Sequence, residues 1–123
     1  MKALLLVGTG GAAGSMARYG VGLLLGKVTT TPLPVATFVI NILGSLIIGI
    51  LFGLAARNQW LQQGGMLLLA TGFCGGFTTF SSLALESVNL VQKGYNMMSV
   101  LYVAASVVAG LVLCRVGMWL AGS

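Results

Sequence analysis

No residue between Val35 and Ala56 carries a charge, and the rest of the chain comes close to that condition. Lys2, Arg18, Lys27, Arg57, Lys93 and Arg115 stand against a single acid, Glu86, so that 6% of positions are charged. A soluble domain carries roughly 25%, and a soluble fold is excluded. Disorder is excluded as well, because it needs low hydrophobicity and high charge, whereas 58% of this chain is hydrophobic. The surface must therefore face lipid. The chain reads as an all-α integral membrane protein, one domain over residues 1–123, multi-pass in a bilayer.

A bilayer core of ~30 Å takes roughly 20 apolar residues per helix. Four segments qualify: about Ala3 to Leu25, Val35 to Ala56, Gly65 to Val91 and Met98 to Leu120. Lys27, Thr29, Thr30, Thr31, Pro32 and Pro34 form the first connection. Arg57, Asn58, Gln59, Gln62 and Gln63 form the second, where Trp60 is placed like an interfacial anchor. Lys93, Gly94 and Asn96 make a tight turn, and Trp119 sits where another interfacial ring is expected. The first segment is too long for a signal peptide and lacks a small-residue cleavage site, so it is expected to stay.

Four crossings put Lys2, Arg57 and Arg115 on one side, with Lys27, Lys93 and the nearer Arg18 on the other. The count is about even, and the positive-inside rule sets no orientation. That balance permits insertion both ways and antiparallel pairing of two copies. A two-chain unit is expected, since four helices enclose little polar space and two-fold dimers are the commonest assembly.

Several chemistries fall away. The chain has no His, and its one acid is Glu86, so no nucleophile–base pair can form and an enzyme is not expected. Cys74 and Cys114 lie in apolar stretches, unlike a disulfide or zinc framework. The scattered cations make no nucleic-acid patch.

Polar side chains inside hydrocarbon must face a partner or a water path. Thr37, Asn41 and Ser45 recur on one helical face, as do Ser99, Tyr102, Ser106 and Gly110, and again Thr79, Ser82 and Glu86. Interhelical hydrogen bonding explains any one of them; three stripes on three helices suit the wall of a hydrophilic path. The pairs Gly10/Gly14, Gly22/Gly26 and Gly49/Gly53 suggest close helix packing. The run from Gly72 to Ser82, with three glycines in five residues and then Thr78 and Thr79, makes a poor continuous helix. Broken spans are where ion sites form. Phe73, Phe77 and Phe80 follow a helical spacing, and a ring edge is electropositive. With hydroxyl and amide donors and one acid, an anion is the favoured permeant. Arg18 either snorkels to the interface or raises the positive potential at an anion entrance.

Three motifs carry a resemblance. Gly10 to Tyr19 resembles a GGxxGxxxRY pattern, Thr37 to Ser45 resembles TxxxNxxGS, and Gly72 to Ser82 resembles GFCGGxTTFS. Together they are similar to the CrcB/Fluc fluoride channels over essentially the whole chain. The resemblance implies four transmembrane helices with a broken third, and an antiparallel dual-topology homodimer in the cell inner membrane. It also implies passive export of cytoplasmic fluoride. By motif match, a structural sodium ion at the dimer centre would be held by the carbonyls of Gly75 and Thr78. Asn41 would be a pore donor and Phe80 an aromatic edge on fluoride. Thr37, Ser82, Glu86, Tyr102 and Ser106 would lie along the polar track, with Arg18 at the vestibule or subunit interface. Two positions depart from the pattern: Leu83 replaces a second phenylalanine, and Gly110 stands where a hydroxyl is common. The alternative, a small proton-coupled multidrug exporter, needs an acid in the first segment, and this one has none.

Overall fold

The computed structural model describes residues 1–26 and 32–122, so the expected loop residues Lys27, Thr29, Thr30 and Thr31 lie outside it. Among the described residues the chain is helical, without strands. The helices are α1 (Lys2–Gly26), α2 (Val35–Ala55), α3 (Leu67–Cys74 running on into Gly75–Phe77), α4 (Phe80–Gln92) and α5 (Asn96–Leu120). Among the described residues, three stretches are long and apolar enough to cross a membrane: Val35–Ala55, Leu67–Gln92 and Asn96–Leu120. At 25 residues α1 has the length, but its glycines and Arg18 dilute its apolar side chains. Of the four expected spans, three thus stand on length and hydropathy together.

Local chemistry sets the helix ends. The α2 ladder opens at Pro34, whose carbonyl takes the Phe38 amide at 3.2 Å. Before α3, the Asn58 carboxamide oxygen accepts from the Leu61 amide at 3.1 Å. A kinked turn, Leu61–Gly65, then places Gly64 at φ 133°, a conformation that glycine adopts without cost. At the end of α4, the Tyr95 amide bonds the Leu90 carbonyl (2.8 Å) and Gly94 bonds Val91 (3.0 Å). With Gly94 at φ 88°, this is a Schellman motif.

Within α3 the turns are wide; the Gly75 amide reaches back five residues to Ala70. Helical conformation stops at Phe77. Thr78 (φ −86°, ψ 159°) and Thr79 (φ −153°, ψ 124°) are extended, and α4 begins at Phe80. The sequence reading placed glycines and threonines together in a non-helical run. In the structure Gly72, Gly75 and Gly76 remain helical, and only the threonines leave. Glycine has a different task here. A Cβ on Gly72 would sit 2.9 Å from the Val7 carbonyl, and one on Gly76 would sit 2.5 Å from that of Gly11. From the other side, Cβ atoms on Gly10 and Gly14 would collide with the carbonyls of Leu68 and Phe73. These glycines let α1 lie backbone to backbone on α3.

The α2–α5 pair uses the same device, with Gly49 against the Cys114 carbonyl and Gly117 against that of Leu46. The expected close contact at Gly22 and Gly26 is not found among the described residues, since a Cβ there meets none of them within 4 Å. One apolar cluster joins Leu51, Leu61, Ala70 and Cys74, and a second joins Leu83, Leu90 and Tyr102. Large apolar side chains such as Leu4, Leu24, Val108 and Leu111 stay exposed, as a lipid-facing surface requires.

Gly14→Val should lower the thermal midpoint in detergent markedly, because overpacking a close contact costs about 1–3 kcal/mol. Gly22→Ala should leave it unchanged or raise it slightly, by helix propensity of up to about 1 kcal/mol. Equal effects of the two substitutions would contradict the α1–α3 packing described here.

Candidate functional site

An extended pair of residues between two helices leaves backbone groups without their helical partners, and in an apolar setting each must find another. The Asn41 side chain, on α2, supplies two. Its Oδ1 accepts from the Thr79 amide at 3.0 Å, and its Nδ2 donates to the Thr79 carbonyl at 3.2 Å. Gly44, one turn along α2, makes room for this approach, since a Cβ there would collide with Cγ2 of Thr78. The Thr79 hydroxyl accepts from the Ser82 amide at 3.2 Å and so caps α4. The Thr78 amide and hydroxyl both donate to the Cys74 carbonyl, at 2.9 and 2.8 Å. From α1, the Arg18 Nε donates to the Gly76 carbonyl at 3.0 Å.

The break parts the carbonyls of Gly75, Phe77 and Thr78 from their helical donors. In a continuous helix the Gly75 carbonyl would bond the Thr79 amide, and the Thr78 carbonyl would bond that of Ser82. Both amides are turned to side-chain oxygens instead, on Asn41 and Thr79.

Two cavities flank the break, and Thr79 lines both. One, of about 350 Å³, is bordered by Asn41, Ser45, Thr71, Thr78, Phe80 and Leu83. The other, of about 280 Å³, is bordered by Arg18, Tyr19, Thr37, Ser82 and Glu86. A larger hollow of about 730 Å³ between the starts of α2 and α5 is walled mainly by apolar side chains, including Phe38, Met97 and Leu101. It offers a dissolved ion little.

Glu86 ends the polar stripe of α4. Thr37 donates to its Oε2 at 2.9 Å and Tyr102 to its Oε1 at 3.1 Å, which joins α2, α4 and α5 at one carboxylate. Each hydroxyl that donates to Glu86 is unavailable to an anion at the same moment. Along α5, Ser99 donates to the Ser87 carbonyl at 2.8 Å, while the Ser106 hydroxyl is buried without a hydrogen-bond partner. Gly110 faces Ser45, whose Oγ would lie 3.2 Å from a Cβ at that position.

The structure brings Thr37, Glu86 and Tyr102 into one hydrogen-bonded group and Asn41, Phe80 and Leu83 to the rim of one cavity. The aromatic row does not persist. Phe73 and Phe77 stack at 5.7 Å, whereas Phe80, beyond the break, is 79% exposed. Leu83 is turned inward, buried with Leu90 and Tyr102. Sequence reading put Thr79 in a polar stripe with Ser82 and Glu86 but gave it no pairing with Asn41 and no place between two cavities. A threonine immediately before a helix start is the N-cap signal that marks it.

Asn41→Val removes the side-chain partners of the Thr79 amide and carbonyl, at about 1–3 kcal/mol for each polar group left unpaired in an apolar setting. It should lower the thermal midpoint in detergent far more than Ser45→Ala, whose hydroxyl bonds only its own helix, at Asn41 O. Similar midpoints for the two variants would contradict the bracing role.

The sequence profile of the family described as CrcB-like protein, Camphor Resistance (CrcB), matches residues 5–118. A protein of Azobacteroides pseudotrichonymphae named fluoride-specific ion channel FluC is 43% identical, over 95% of this chain and 94% of its own. Its namesake from Chlorobaculum tepidum is 49% identical, over 90% and 87%. That of Chlorobium phaeobacteroides is 45% identical, over 98% and 93%. All three alignments run nearly end to end and so include the glycine-lined α1, Asn41 and the Thr78–Thr79 break. On that footing the chain belongs to the CrcB family.

Proposed function

We propose that this chain is a fluoride-selective channel that lets cytoplasmic fluoride leave the cell passively and so protects it from fluoride. The observation that carries the reading is the pair of cavities that share Thr79 and carry polar side chains in their walls, in a chain whose FluC-named relatives match most of its length. Fluoride is small and strongly hydrated, so it enters a dry path only where donors replace water. Asn41, Ser45, Ser82 and Thr79 place amide and hydroxyl groups around the two cavities. Phe80 adds the electropositive edge of a ring. Glu86 is the one acid in the sequence, and two hydroxyls hold its carboxylate.

The working unit in this reading is an antiparallel homodimer in the inner membrane, with α1 as the fourth span and the third broken at Thr78–Thr79. Two features support it. The 350 Å³ cavity opens at exposed Thr71, Gly75 and Phe80, and a ring as exposed as Phe80 enters a closed path only if another chain covers it. The even charge count allows both orientations.

A sodium ion at the dimer centre fits the residues present. Hard cations take oxygen ligands, and the Gly75 and Thr78 carbonyls are those whose helical donors are turned elsewhere. When bound, such an ion supplies fixed positive charge that lowers the cost of an anion in low dielectric. The proton-coupled exporter finds less support: α1 carries no acid.

Reconstituted in liposomes, the protein should release fluoride to an electrode and retain chloride. Asn41→Val should abolish most of that flux; fluoride release at the normal rate in this variant, or equal release of chloride, would refute the reading. Leu83→Phe adds a ring at the rim of the cavity. An aromatic contact worth about 0.5–1.5 kcal/mol should raise flux by roughly two- to tenfold. Unchanged or reduced flux would show that a second ring does not limit conduction. Single cysteines at Gly94 should be labelled from both faces of the membrane, and one-sided labelling would exclude dual topology.

A further inference from the structure

We infer that Arg18 is a positioning residue for the cation site: by holding the Gly76 carbonyl from α1, it fixes the turn whose Gly75 and Thr78 carbonyls would take the ion. The inference rests on the cation reading above. Gly11 and Arg18 are two helical turns apart and share a face of α1. At Gly11 that face touches the end of α3, where a Cβ on Gly76 would lie 2.5 Å from the Gly11 carbonyl. Long side chains on a helix lean toward its N-terminus, so Arg18 reaches back along α1 toward the same point. Its Nε meets the Gly76 carbonyl at 3.0 Å.

The carbonyls at the end of α3 thereby divide by partner. Cys74 takes the amide and hydroxyl of Thr78. Gly76, whose helical donor would be the Phe80 amide beyond the extended pair, takes the guanidinium. Gly75, Phe77 and Thr78 receive no such donor among the described residues, and the cation reading draws on the first and last of these. A guanidinium also carries charge, and charge alone would repel a nearby cation. Positioning and repulsion therefore predict opposite signs when Arg18 is changed, and side-chain geometry separates them. A glutamine places its amide nitrogen one bond beyond Cδ, where arginine has Nε; it keeps a donor at that place and removes the charge. A methionine removes both.

The test is the sodium dependence of the thermal midpoint of the detergent-solubilised protein, titrated with sodium chloride against N-methylglucamine chloride at constant ionic strength. A ligand that binds only the folded state raises the midpoint with concentration. Arg18→Met should need about tenfold more sodium for the same rise, as expected for loss of a charge-assisted hydrogen bond. Arg18→Gln should stay within roughly threefold of the unchanged protein, on the same scale. Sodium binding that is unchanged or tighter in Arg18→Met, or the same change in both variants, overturns the inference. So does a lower midpoint in both salts with sodium affinity preserved, which marks a merely structural role. If Arg18→Met does not fold, Arg18→Gln decides: retained affinity supports positioning, and tighter binding supports repulsion instead. An unchanged protein that ignores sodium altogether sinks the cation reading itself, and is recognised before any variant is made.

Discussion

The Thr79 amide stands at the break before α4 without its helical acceptor, and the Asn41 carboxamide takes hold of that residue's backbone, accepting from its amide and donating to its carbonyl. Inside a membrane there is no water to take its place, and each unsatisfied group costs several kcal/mol. A carboxamide presents an acceptor and a donor side by side without any change of protonation, which suits asparagine to this point of α2. With Thr79 held, its hydroxyl caps α4 and its flanks become walls of two cavities. The diversion of amides toward Asn41 and Thr79 also leaves the Gly75 and Thr78 carbonyls facing no helical donor. Polar surface in an otherwise apolar chain thus follows from one pairing.

That pairing needs α2 and α3 to approach closely, and the glycines provide the approach. Lipid gives helices no hydrophobic incentive to associate, so packing and polar contacts must do so. Gly10, Gly14, Gly72 and Gly76 set α1 against α3, Gly49 and Gly117 set α2 against α5, and Gly44 admits Thr78. Glu86 then ties α2 and α5 to α4 through Thr37 and Tyr102. Arg18 completes the frame from α1. The polar residues act as braces between helices as much as they act as donors toward a cavity.

Much of this was legible in the residues. The scarcity of charge dictated a membrane, and the helical spacing of Thr37, Asn41 and Ser45 placed them on a common face. What could not be read was which residue of a stripe meets which partner, because that depends on the rotation of packed helices. Periodicity alone put Phe73, Phe77 and Phe80 in one row, but the extended threonines reset the phase, so Phe80 turns outward and Leu83 inward. Low helix propensity marked the region from Gly72 to Ser82, yet propensity does not distinguish glycines used for close approach from threonines that leave the helix. Gly22 and Gly26 have the spacing of a packing pair, yet a Cβ at either meets nothing within 4 Å among the described residues; small residues permit contact without compelling it.

The account stands on the conformation of two threonines. Their backbone can be read directly in lipid bilayers by solid-state NMR, from the Cα and Cβ chemical shifts of protein labelled at threonine and phenylalanine. Extended-type shifts at Thr78 and Thr79, between helical shifts at Phe77 and Phe80, are the expected result. Helical shifts running unbroken from Phe77 through Phe80 would contradict it, and with it the cavities, the exposed carbonyls and the role of Asn41.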